Sequence, residues 1–206
     1  MEQTPDTTKR SAGRPRAFDR DKALRIALDL FWRHGFEGTS TAVLTQAMGI
    51  SPPSLYSAFG AKDALYREAV ALYRVEYGQA LAEPLQRPGS AREAVEAALM
   101  VAAKQFSEPS HPLGCIIAGG EIQASPDNSA LVEEMTCLRK AAQKSIQSRL
   151  QAAQKTGELA ADEDVAALAA YFAMVVQGMA VQARDGAKTA LLKRLAALAM
   201  RAWPAV

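Results

Sequence analysis

The sequence predicts an all-α chain, and three of its features carry that expectation. The 206 residues are rich in alanine and hold only 6 % aromatics, a composition that suits helices better than sheets. Apolar residues recur at spacings of three and four along most of the chain. Glycine or proline closes off each recurrence after roughly a helix length. The length allows one or two domains with a substantial core. The expected architecture is a polar arm (1–17), an N-terminal three-helix unit (18–70) and a larger helical body (71–206), about nine helices in all.

Taken in order, the arm contains Pro5, Gly13 and Pro15 and no apolar periodicity, so it reads as flexible. Its Arg14 and Arg16 can enter a DNA minor groove ahead of a recognition unit, or simply carry two solvated charges. Asp19 and Asp21 suit the positive end of a first helix whose buried stripe is Leu24, Ala27, Leu28, Phe31 and Trp32. His34 and Gly35 end it. Thr39 and Ser40 supply capping hydroxyls for a second helix, where Val43, Leu44 and Ala47 form a small apolar face. Gly49 stops that helix, Ser51 caps the next, and Pro52 and Pro53 sit in its first turn, where N–H groups have no helical partner in any case. Leu55 and Phe59 bury one side of this third helix and leave Pro52, Pro53, Ser54, Tyr56 and Ser57 outside. A helix, a glycine turn and a helix of these lengths form a helix-turn-helix pattern.

These pieces, Ala27-Leu28-Asp29-Leu30-Phe31, Gly35-Phe36, Thr39-Ser40, Gly49-Ile50-Ser51, Leu55-Tyr56, Phe59 and Lys62-Asp63-Ala64-Leu65, together closely resemble the DNA-binding domain of TetR-type (tetracycline-repressor-like) transcriptional regulators over residues 14 to about 70. The resemblance implies a dimeric, ligand-responsive regulator in which Ser40 and Thr41, with Tyr56 and Lys62, clamp the DNA backbone; Thr39 is expected among the DNA-binding residues beside them. Charge agrees: residues 9–62 hold nine Lys/Arg against four Asp/Glu, while the whole chain is only +2, so the excess sits on the expected DNA-binding head. Base reading is another matter. The third helix lacks Arg, Lys, Asn and Gln, the side chains of bidentate base contacts. Ser54 and Ser57 can give single hydrogen bonds, and Pro52, Pro53 and Ala58 can touch thymine methyls. Thr45 and Met48 stand where the family commonly has alanine between the two motif helices, which bears on the motif's angle.

Beyond the head, a long helix from Ala61 to about Gln79 carries Leu65, Ala69, Leu72 and Tyr73 on one face. Glu83-Pro84 and Arg87-Pro88-Gly89-Ser90 read as the loop that follows it. Ser90, with Glu93 three residues on, opens the next helix as a capping box. After Pro109, Pro112 and Gly114 comes an apolar, glycine-rich run suited to lining a cavity. A long helix then runs from Asp127 or Ser129 to about Lys155. Two last helices, about 162–184 and 187–203, meet at Asp185-Gly186.

An effector pocket is expected among Phe106, Cys115, Ile116, Gly119, Met135, Leu138, Tyr171, Met174 and Gln177, since small-molecule sites are mainly apolar with a few polar groups. Ordinary core is the commoner reading of any one of them, but Gln177 and Tyr171 are polar groups on an apolar helix and need a partner, protein or ligand. Cys115 follows Gly114 near an expected helix N-terminus, where a thiol pKa can fall; that leaves a thiol-based redox or electrophile sensor as one alternative. A second alternative is an architectural DNA-binding protein without ligand control. The last two helices are apolar over more than one face, and Phe172, Val176, Met179, Leu191, Leu195 and Leu198 are expected to pair with a second copy in a four-helix bundle.

Enzyme chemistry finds little support: there is no Ser/His/Asp spacing, no phosphate-binding glycine loop and no metal-ligand cluster among two histidines and two cysteines. No cofactor is implied. The polar N-terminus is unlike a signal peptide, no apolar run is expected to span a bilayer, and two cysteines, Cys115 and Cys137, suit a reducing cytoplasm. The expectation is therefore a homodimeric regulator bound to a palindromic double-stranded operator and released by an unknown small molecule, with activation in place of repression left open.

Overall fold

A computed structural model describes residues 18–120 and 125–204; Arg14 and Arg16 lie outside the described residues. Among those described, the chain forms nine α-helices: α1 (Arg20–His34), α2 (Thr41–Met48), α3 (Pro52–Phe59), α4 (Lys62–Tyr73), α5 (Gln79–Gln86), α6 (Ala91–Phe106), α7 (Ser129–Lys155), α8 (Val165–Arg184) and α9 (Thr189–Ala199). A π-helical stretch, Arg74–Gly78, joins α4 to α5 without a break, so the two form one continuous rod.

Helix starts follow the capping chemistry. The Asp19 carboxylate accepts from the N–H groups of Asp21 and Lys22, and the Ser40 hydroxyl accepts from that of Val43. At α6, Ser90 accepts from the Glu93 N–H, but the remaining end donors of Ala91 and Arg92 go to the carboxylate of Glu158, a residue far away in sequence. Gly49 ends α2 at φ 67°, a left-handed conformation that glycine adopts without steric penalty.

The connecting rod departs from expectation. Helix continues to Gln86, and Pro84 lies inside α5 with its ring buried, where a loop was expected. A proline loses one helical N–H and crowds the carbonyl one turn back. Here it stands near the end of the rod, where few helical bonds follow, and α5 rests against α6 and α7. The expected domain boundary near residue 70 falls inside α4, so the rod physically spans both parts.

The head comprises α1 to α4 around a sealed aromatic centre. Phe31 and Tyr66 meet edge to face at 5.1 Å, and Phe36 meets Tyr66 at 5.3 Å. Arg20 ties α1 to the rest: it donates to the Ala58 carbonyl, pairs with Glu68 at 2.8 Å and lies 4.4 Å above the Phe59 ring. Such pairs convert helix packing into fixed angles.

In the body, α7 packs on α8, and α6 on α8 and α9. Gly114 (φ 80°) brings the turn at 115–120 against α8; a Cβ there would stand 2.7 Å from the Ala180 carbonyl oxygen. Helix α8 corrects one sequence expectation. It is 20 residues long, with a mean hydropathy of 1.6 over an 18-residue window, long and apolar enough on composition alone to cross a bilayer. Alanine makes this possible without bulk, and α8 instead sits between α7 and α9 with one face inward.

Head and body also touch directly. Trp32 of α1 stacks on His111 at 4.8 Å and meets Tyr73 edge to face at 4.8 Å. Arg184 at the end of α8 donates to the Trp32 carbonyl. Glu37 accepts from the Asn128 side chain and the Ser125 N–H, which in that order hold its carboxyl below the usual range.

Candidate DNA-binding face

Helices α2 and α3 are eight residues each, too short to bury more than one edge. Only Leu44 and Thr45 of α2, and Leu55 and Phe59 of α3, are buried. Val43, expected on the inner face, is instead 42 % exposed. Thr45 takes an inner place because its hydroxyl bonds back to the carbonyls of Thr41 and Ala42, leaving no unpaired polar atom.

On the outer side stand Pro52, Pro53, Tyr56 and Ser57, with Ser54 half-buried. Tyr56 is 52 % exposed, and its hydroxyl is free of partners among the described residues. Ser40 is exposed and Thr41 half-buried at the start of α2, where N–H groups not used by the cap point outward. These four residues, Ser40, Thr41, Tyr56 and Ser57, form a set of hydroxyl donors suited to phosphate oxygens.

Two residues expected in that set stand elsewhere. Thr39 is fully buried; its hydroxyl donates to the Gly35 carbonyl at 2.7 Å and its N–H to Phe36. It locks the end of α1 to the start of α2 and has no donor left for a phosphate. Lys62 donates to the Phe36 carbonyl at 3.0 Å with its ammonium 3.9 Å from the Phe36 ring centre. One of its three N–H groups is thereby used in closing the head. Ser54 is likewise committed: its hydroxyl lies 2.9 Å from that of Ser51.

The expected effector residues separate into three groups. Phe106 and Ile116 are buried in the core, and Met135 is buried on α7 at the edge of a groove. Leu138, Tyr171 and Gln177 are half-buried. Met174 is 61 % exposed on the outer face of α8 and does not line an interior pocket. A groove of about 500 Å³ does run between α4 and α7, lined by Val70, Ala71, Met135 and Leu138 and flanked by Arg67 and Arg74.

Cys115 does not open a helix; it stands just before a short turn at 116–118, buried, with the Tyr73 hydroxyl donating to its sulfur at 3.1 Å. Burial pushes the thiol above its usual pKa, the opposite of the lowered value expected at a helix N-terminus. Burial likewise pushes the Tyr73 hydroxyl well up. Cys137 is the exposed thiol, on α7.

The expected dimer residues also divide. Phe172 and Met179 are sealed inside this chain's own core, because they fall on the α8 face that meets its neighbours. Val176 and Leu195 are half-buried. Leu191 and Leu198 of α9 are exposed, as are Met174 and Val181 of α8. Ala166, Ala167, Ala170 and Gly178 lie exposed on the same helix. Sequence periodicity could not separate the two faces of α8, since both are apolar.

Sequence reading had no handle on Glu37, Arg184 or His111 as links between head and body. Their partners lie at distant positions, and nothing local marks them. Among the described residues, no group of three or more His, Cys, Asp or Glu is placed to hold a metal ion.

Residues 23–69 match the family model described as bacterial regulatory proteins, tetR family. The chain is 32 % identical over 197 residues to the HTH-type transcriptional repressor ComR of Escherichia coli K12, spanning 95 % of this chain and 94 % of that one. It is 35 % identical over 111 residues to the repressor BdcR of the same organism, covering 54 % and 56 % of the two chains. Among solved structures, a cysteine mutant of the TetR family transcriptional regulator CifR, complexed with 26-bp double-strand operator DNA, is 40 % identical. It aligns with a TM-score of 0.88 over 93 % of this chain and all of its own.

Proposed function

Because this chain belongs to the TetR family of bacterial transcriptional regulators, we propose that it is a homodimeric repressor that holds a palindromic operator and releases it when a small molecule binds. The observation that carries the DNA-binding part is the exposed hydroxyl set of Ser40, Thr41, Tyr56 and Ser57 on a rigid two-helix unit. Each contact of this kind adds affinity without sequence information and fixes the register in which bases are met. The DNA-bound relative at 40 % identity supports the same use of the fold. The work would be done in the cytoplasm, where a bacterial chromosome is accessible.

Dimerisation is supported by the open apolar face of α8 and α9. Met174, Val181, Leu191 and Leu198 are exposed within one chain, and a second copy would cover them across a two-fold axis. The small residues Ala170 and Gly178 allow the helices to approach closely. Two heads held at fixed separation then meet two half-sites.

Ligand control is supported by the route from body to head. The rod α4–α5 belongs to both parts, and the groove beside α4 touches it directly. Arg67 of α4 pairs with Glu134 of α7 across this groove at 2.9 Å. A molecule wedged between α4 and α7 would prefer one rod position over another, and only that difference in affinity can shift the equilibrium.

The test is selection of bound sequences from random duplex DNA, followed by affinity against salt. A palindromic site bound well above random DNA, with affinity falling steeply as salt rises, is expected. Uniform weak binding with no enriched site would overturn the proposal.

A further inference from the structure

We infer that α3 reads thymine: the exposed rings of Pro52 and Pro53 contact C5 methyl groups in the major groove and supply base discrimination that hydrogen bonds supply in other readers. The inference rests on the proposed operator binding and adds what the operator must contain.

The first turn of a helix ordinarily presents free N–H groups. In α3 they are removed one by one. Pro52 and Pro53, at the first two positions, have no N–H at all. The Ser54 N–H donates to the Ser51 hydroxyl at 3.4 Å, and the Leu55 N–H donates to the Ser51 carbonyl at 3.1 Å. The Ser54 hydroxyl is engaged with Ser51. The end of the helix that would face base edges thus offers two pyrrolidine rings and no backbone donor.

The remaining side chains do not restore readout. Pro52–Phe59 contains no Arg, Lys, Asn or Gln. Ser57 and Tyr56 can reach polar atoms, but a hydroxyl both donates and accepts, so it bonds any base. Thymine alone among the four bases carries an apolar group in the major groove. A proline ring laid over guanine O6 and N7 would leave those acceptors desolvated and unpaired, which is costly. The same surface therefore favours a methyl group and disfavours guanine.

The experiment uses the full-length protein and the site recovered from random duplex. Each thymine is replaced in turn by deoxyuridine, symmetrically in both half-sites, which removes the methyl and keeps every hydrogen-bonding group. Burying one methyl-sized group corresponds to about fourfold in affinity, so a symmetric replacement should cost on the order of tenfold. Pro52→Ala and Pro53→Ala are then measured on both duplexes. Alanine is favourable in a helix, so α3 is retained, which an unchanged melting temperature confirms.

The expected result is a deoxyuridine penalty at one or two thymines per half-site that shrinks towards none in at least one variant. A tight site indifferent to every deoxyuridine would overturn this inference and leave operator binding standing. So would a penalty undiminished in both variants. A selection that returns no site at all would remove the regulator reading and this one with it.

Discussion

Two apolar surfaces of this chain contrast sharply. In the head, Phe31, Leu44, Leu55, Phe59 and Tyr66 close on one another within a single chain and leave almost nothing to water. On the outer side of α8 and α9, Met174, Val181, Leu191 and Leu198 stay exposed, Leu198 at 56 %. The first surface is finished by local sequence and the second is left open. The exposed apolar side of α8 and α9 supports the proposed pairing with a second copy.

The contrast can be broken at its closed side first. Phe31→Ala should cost about 3–5 kcal/mol in denaturant unfolding, since a sealed aromatic core cannot collapse around the loss. A cost of a fraction of that would show the head to be loosely packed. On the open side, Val181→Glu with Leu198→Glu should give a folded monomer, by sedimentation and circular dichroism, with operator affinity down by on the order of a hundredfold. This follows because each head then binds alone, without its linked partner. Unchanged mass would show that this face is not the interface.

A smaller effect is expected at the DNA face. Tyr56→Phe should weaken operator and random DNA alike by about three- to tenfold, the worth of one hydrogen bond; a loss confined to one sequence would contradict a phosphate role. The two thiols sharpen the comparison chemically. At neutral pH a thiol reagent should label exposed Cys137 quickly and leave Cys115 silent until the protein unfolds. A raised pKa lowers the thiolate fraction below its ordinary share, and burial excludes the reagent. Rapid labelling of both would overturn the account of the Tyr73–Cys115 pair. The smallest effect concerns Asp63, whose carboxyl the Arg67 side chain holds below its usual range. Its depressed folded pKa means that its contribution is present above the unfolded value and fades as pH falls through the folded one. Asp63→Asn should flatten the acid limb of the stability profile by less than about 1 kcal/mol, as befits an exposed pair.

The head was legible in the sequence because its chemistry is local. Caps at Asp19, Ser40 and Ser51, the stop at Gly49 and the stripe of α1 all act within a few residues of themselves. Where reading went astray, the deciding contact was distant or the pattern ambiguous. Thr39 reads as a surface hydroxyl until the Gly35 carbonyl is seen to take it. Pro84 reads as a helix break until its burial inside α5 is seen. In α8 alanine and valine occur on every side, so periodicity alone could not tell Phe172, which faces inward, from Met174, which faces out. Cys115 reads as activated if a helix begins there; burial, which outweighs the hydrogen bonds to its sulfur, reverses the sign of its shift.

The central claim is that two chains, joined through α8 and α9, hold one palindromic site. It is tested most directly by the mass of the complex formed with a duplex carrying the selected site, measured in solution over a range of protein concentration. The account predicts chains bound in pairs, with no stable species of one chain per duplex, and loss of that complex in the Val181→Glu, Leu198→Glu protein. A tight complex of a single chain with one half-site, unaffected by those substitutions, would contradict it.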